Sequence, residues 1–180
     1  MNVLNLWKKL CTVLVISSGL LATSAALAER GPATAEEKER VVKLAAAADK
    51  DPMGVMRSAD GRWFEKWSDE VPDYTFGPDA GVFWFYNGVA KADLMRVLRF
   101  HHMLTVASYQ VQKSITDPMR DPAVMEAKTI AGIEGLLRAY ESLLAKNPEN
   151  KVQAIDDLLV VRDKGGLSDF VKKLPPLPKR

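Results

Sequence analysis

Cysteine is nearly absent from this sequence, with Cys11 the single one. One thiol closes no internal disulfide, builds no thiolate metal site and supplies no C-x-x-C-H haem attachment. Histidine is almost as scarce, being confined to the adjacent pair His101 and His102. Neighbouring helical residues point about 100° apart, so the pair cannot share one metal as an i,i+4 pair does. An excess of one charge is missing too. The chain carries 25 Lys and Arg against 23 Asp and Glu, and two of those lysines lie in a segment that reads as removable. Without them the two signs balance, which leaves no basic surface for a nucleic acid. With 47% hydrophobic and 27% charged residues and a mean hydropathy of -0.11, the composition excludes collagen, a multi-span membrane protein and a largely disordered chain.

What is present begins with a leader. Residues 1–28 have the three parts of a cleavable secretory signal: Lys8 and Lys9, the apolar run Leu10–Ala22, and Ala26-Leu27-Ala28 before the charged Glu29-Arg30. The uncharged stretch Leu10–Ala28 is close to the length of a membrane span, but its last third is Ala, Ser and Thr, which favours cleavage. Cys11 opens the apolar run rather than following it, so it is a poor lipid acceptor and leaves with the leader. The expected location is extracytoplasmic, with the bacterial periplasm favoured over full secretion, and no membrane span after cleavage.

Prolines divide the remainder into helical windows. Thr34-Ala35-Glu36-Glu37 is a capping box, and the helix it opens turns Val41, Leu44, Ala45 and Ala48 inward and stops before Pro52. The window 89–115 predicts a central helix. Its apolar arc is about 180° wide, holds Leu94, Val97, Leu98, Leu104, Val111 and Ile115, and has His101 near its centre. Arg96, Arg99, Gln110, Lys113 and Ser114 fall opposite. Adjacency puts His101 in the core and His102 near the arc's edge, at least partly exposed. Asp121-Pro122 reads as N-cap and N1 of a helix running to about Lys146. Asn147-Pro148 repeats the signature for a helix that Gly165-Gly166 ends, and Ser168 is placed to cap a last turn. The fold class is all-α: a bundle of four to five helices within residues 29–174, followed by an extended Pro-rich tail at 175–180.

Residues 52–88 are unusual, holding nine of the fourteen aromatics and five of the eleven glycines. They predict a short helix around 60–70, a Pro/Gly loop at 71–81 and a piece at 82–87 that is either strand or helix entry.

Each chemical motif has a plainer reading beside it. Asp49, Asp51, Gly54 and Asp60 partly imitate a calcium loop, but Met53 and Arg57 occupy ligand positions, so a solvated helix terminus is the better account. His101 with Met95, Met103 or Met125 would suit a non-covalent haem, whereas a neutral core histidine needs only one hydrogen-bond partner. Glu65 and Asp69 share a face nearly opposite Trp63 and Trp67, so acids and stacking rings do not converge as a glycosidase requires, and no spacing rule recruits Asp73 or Asp79 instead. Ala123, Ala127, Ala131, Gly135 and Ala139 recur every four residues, but among Lys128, Glu134 and Arg138 they read as good helix formers on an exposed face. The tail Leu174–Arg180 fits a polyproline ligand pattern, and an extended tail is its default.

These readings assign no catalytic residue, no cofactor and no metal. The function they favour is that of an exported, non-catalytic helical protein that binds an envelope protein or a small apolar or glycan ligand, as an accessory of an envelope assembly. A small cell-wall or glycan hydrolase is the first alternative, and a haem carrier the second. Four consecutive large rings at 83–86 cannot all face inward under either period. The candidate partner or ligand surface is therefore Phe83, Trp84 and Tyr86, with Tyr74 and Phe76 of the neighbouring loop. Trp84→Ala and Tyr86→Ala separate site from core: native thermal stability with lost partner binding is expected of a site, whereas early unfolding of both variants places the rings in the core.

Overall fold

In a computed structural model, the described residues are 30–77, 81 and 91–175. Seven helices occupy them, with no strand among them: α1 (Ala35–Ala48), α2 (Pro52–Arg57), α3 (Ala59–Glu70), α4 (Ala92–Lys113), α5 (Pro122–Lys146), α6 (Gln153–Asp163) and α7 (Leu167–Lys172). Single 3₁₀ turns at Pro118–Arg120 and Pro148–Asn150 precede α5 and α6. The all-α class holds, with α2 and α7 as additional short helices. No helix among the described residues is long and apolar enough to cross a membrane.

Local chemistry accounts for most boundaries. Thr34 and Glu37 close both bonds of the capping box that starts α1. Ser58 sits in an extended conformation between α2 and α3; its hydroxyl donates to the Val55 carbonyl at 2.7 Å and accepts the Gly61 N–H at 2.9 Å. Asp121 caps α5 by accepting the Ala123 N–H at 2.8 Å, with Pro122 at the first helical position. Two expected starts are displaced. Asn147 caps only the 3₁₀ turn, accepting from the Glu149 N–H at 3.0 Å, and α6 begins at Gln153. The reason lies in Tyr140: its buried hydroxyl accepts the Val152 N–H at 2.9 Å and donates to Asp156 at 2.6 Å, fixing the chain two residues beyond the turn. Burial and the Asp156 carboxylate push that phenol up to about 12. Ser168 is no cap either. It lies inside α7 and donates to Glu126 of α5 at 2.6 Å.

The bundle has two apolar cores, and α4 belongs to both. On one side Leu94, Met95, Val97 and Leu98 pack with Ile133, Leu136, Leu137 and Tyr140 of α5 and with Ile155, Leu158 and Leu167. On the other, Phe100, Leu104, Val106 and Ala107 pack with Val41 and Leu44 of α1, Phe64 and Trp67 of α3, and the loop residues Val71, Tyr74 and Phe76. Burial therefore runs around most of α4 and overturns two expectations. Gln110, placed on the solvent side by the wheel, is 0% exposed. Its amide donates to the carbonyls of Thr75 at 3.2 Å and Ile115 at 3.0 Å, because the loop after α3 crosses there. His102 is 1% exposed rather than at the surface.

The small-residue row of α5 explains His102. Ala139 is fully enclosed and Gly135 is buried, so this part of the row faces α4 rather than solvent. A Cβ built on Gly135 would come well inside 3.0 Å of the Thr105 side chain, and one on Gly132 would collide with the His102 ring. The missing side chains let the two longest helices approach, and His102 and Thr105 fill the space. Gly135→Ala is expected to destabilise the fold by about 1–3 kcal/mol through overpacking. Gly31→Ala, where nothing lies within 4 Å, should stay within about 0.5 kcal/mol of wild type. Thermal unfolding of both variants checks this, and equal midpoints would contradict the seam.

Candidate functional site

The connection between α1 and α2 is laid across α5 by three side chains one turn apart. Arg138 Nε donates to Asp49 at 3.0 Å, the Ser142 hydroxyl lies 3.4 Å from the Lys50 carbonyl, and Lys146 Nζ donates to Asp51 at 2.9 Å. Successive residues 49, 50 and 51 thus meet positions 138, 142 and 146, the i, i+4, i+8 stripe of a helix. This ladder fixes Asp49 at the end of α1, directly over α4.

Asp49 is the node of the site. Besides Arg138, its Oδ1 lies 3.1 Å from Nε2 of His101, whose side chain is 0% exposed. That contact is not aligned as a full hydrogen bond, so it acts chiefly through the closeness of the carboxylate. On its other side His101 Nδ1 is 3.3 Å from the Thr105 hydroxyl. Burial alone would raise the Asp49 carboxyl, but His101 and the Arg138 guanidinium outweigh it and hold the group below its usual range.

An open groove of about 350 Å³ lies above this node, between α1, α4 and α5. Val42, Ala45 and Ala46 form its apolar wall; Tyr109 and Gln112 of α4 and Glu134 of α5 supply the polar one. Gln112 is held by donating to the Ser108 hydroxyl at 2.9 Å. The two walls are rigid helices, so the groove is preformed.

The structure distributes the sequence-derived candidates differently. Tyr74 and Phe76 are buried, stacked on each other at 5.6 Å between centroids and against Trp67. They are core residues, because α3 and the loop after it fold onto α4. Phe83, Trp84 and Tyr86 lie outside the described residues, as do 1–29 and 176–180. The acids and rings of α3 separate as their spacing implies: Glu65 and Asp69 are exposed, Trp67 is enclosed, and Trp63 is half-buried beneath the Arg40 guanidinium at 4.0 Å. Asp73 accepts the Ala33 N–H at 2.8 Å and pins the start of α1. The carboxylates of the calcium-like stretch are taken up by cations: Asp49 by Arg138, Asp51 by Lys146 and Asp60 by Arg40. His101 is core as expected, and both its nitrogens face protein groups. Among the described residues no group of three or more His, Cys, Asp and Glu side chains is placed to hold a metal ion.

The groove itself escaped the sequence. Its residues come from three helices, and the only signal for it was the i,i+4 relation of His101 to Thr105 and of Glu134 to Arg138. The chain matches no protein-family model, no curated protein and no solved structure.

Because the Asp49 carboxyl is held low, its contribution to stability is present above its unfolded value near 3.8 and fades as pH falls through the lower folded value. Asp49→Asn should therefore lower the thermal midpoint at pH 7. The gap to wild type should close as pH is taken to about 2. A gap that stays constant over that range would show that Asp49 does not carry the contribution.

Proposed function

We propose that the protein is an exported, non-catalytic helical protein that binds a partner polypeptide in the cell envelope, and that the groove between α1, α4 and α5 is its binding surface among the described residues. The observation that carries this reading is the construction of that groove: an apolar strip from Val42, Ala45 and Ala46 opposite Tyr109, Gln112 and Glu134, open along its length. Partner surfaces of non-obligate complexes have this mixture of apolar strip and polar rim. Enclosure of both histidines supports a non-catalytic role, because the side chains best suited to proton transfer near neutral pH are spent on packing. The leader at 1–28 supports export.

A photo-crosslinking side chain in place of exposed Ala46, in tagged protein expressed in its own host, tests the reading. A discrete crosslinked partner is expected, and its yield should fall at least about tenfold when Gln112→Trp plugs the groove without lowering the thermal midpoint. A partner captured equally well by the plugged protein would remove the groove from the account.

A further inference from the structure

Five of the described arginines are held by acids. Arg30, Arg40, Arg120, Arg138 and Arg162 each sit on a carboxylate: Glu37, Asp60, Asp117, Asp49 and Glu141 respectively. Arg57, Arg62 and Arg96 form no such pair among the described residues, and these three line one pocket of about 280 Å³. They arrive from three helices. The Ser58 elbow is closed tightly around Gly61, where a Cβ would strike the carbonyls of Val55 and Met56. It brings the end of α2, with Arg57, beside the first turns of α3, with Arg62. Arg62 Nη1 donates to the Arg57 carbonyl at 2.8 Å, which holds one guanidinium in place while leaving its remaining donors available. Arg96 comes from the second turn of α4. Half-buried Met53 and Met56 and exposed Glu65 and Asp93 complete the lining.

We infer that this pocket is an anion site for a phosphate-type oxyanion. Three arginines lining one concavity can offer planar guanidinium forks to the several acceptor oxygens of a phosphate group. Surface guanidiniums ordinarily find acids, as five others in this fold do, so three left without one in a single pocket leave their donors for an incoming anion. Glu65 and Asp93 lower the local charge from three positive to one. They set the affinity, weakening it by like-charge repulsion without removing the donors. The phosphate has two possible carriers, a soluble ester or ion and an anionic lipid headgroup, and both present the same oxygens.

Binding is tested on the mature chain at low ionic strength, where screening is least. Inorganic phosphate is titrated calorimetrically, and in parallel the protein is floated with vesicles of phosphatidylglycerol in phosphatidylcholine or of phosphatidylcholine alone. Saturable phosphate binding that Arg57→Gln/Arg62→Gln/Arg96→Gln weakens at least about tenfold supports the site with a soluble ligand. Flotation with phosphatidylglycerol only, lost in the same variant, supports it with a lipid headgroup. Arg96→Gln alone, an exposed change on α4, keeps the test valid if the triple variant unfolds, and a partial loss is expected of it. Glu65→Gln and Asp93→Asn should each tighten binding a few-fold. Absence of binding in both arms, binding unchanged in folded Arg96→Gln, or weaker binding in Glu65→Gln would overturn the inference.

Discussion

The close approach of α4 and α5 at Gly132 and Gly135 is the constraint on which the rest of this fold depends. Two helices of 22 and 25 residues normally keep their axes about 8–10 Å apart, with side chains between them. Here two positions on α5 contribute no side chain, and Thr105 and His102 of α4 occupy the space released. Once that seam is set, α4 has one face left for α1 and α3, and the second core assembles there around Phe64, Trp67 and Phe100. With Cys11 its single cysteine, the chain can close no internal disulfide. Stability must come from packing of this kind.

Polar groups follow from the same geometry. Because α4 is walled in on both sides, the polar residues it buries must find partners inside the protein or lose them. His101 meets Asp49 and Thr105, and Gln110 takes the carbonyls that the loop after α3 presents. Asp49 reaches His101 because the stripe Arg138, Ser142 and Lys146 holds the α1–α2 connection on α5. The groove proposed as a binding surface is the trough left above that connection. The arginine pocket is the corresponding feature at the α2–α3 elbow, on the far side of α2. Neither depends on a mobile element, and each is built from helices whose positions the seam has already determined.

The Thr34–Glu37 box, Asp121-Pro122, the stop before Pro52 and the end at Gly165-Gly166 are settled by bonds within a few residues, and the structure has them where the sequence places them. The caps at Asn147 and Ser168 gave way to tertiary bonds of Tyr140 and Glu126. The wheel failed where burial comes from two directions. It assigns each helix one inward face, so it exposed His102 and Gln110 on α4 and Gly135 and Ala139 on α5, all of which are buried. The regular spacing of alanine and glycine is visible, but neighbouring charges suggest solvent; Glu134 and Arg138 are indeed exposed, on one side of the seam, whereas Lys128 is enclosed and donates to the Phe76 carbonyl at 2.9 Å. Tyr74 and Phe76 were assigned to a surface because a Pro/Gly loop carries them, whereas that loop is drawn into the second core by Trp67. The sites themselves need three helices each. Side chains far apart in the chain, such as Asp49 and Arg138 or Arg62 and Arg96, meet there, and no local pattern records such a meeting.

Native-state amide exchange along α4 tests this account most directly. If α4 is the shared wall of two cores and is locked to α5 at Gly132 and Gly135, the amides from Leu98 to Val106 should exchange only through global unfolding, together with those of Ile133 to Tyr140. The amides of α6 and α7, each packed on one side only, should open at lower cost. Exchange of the Leu98–Val106 amides at or below the protection of α6 would contradict the account.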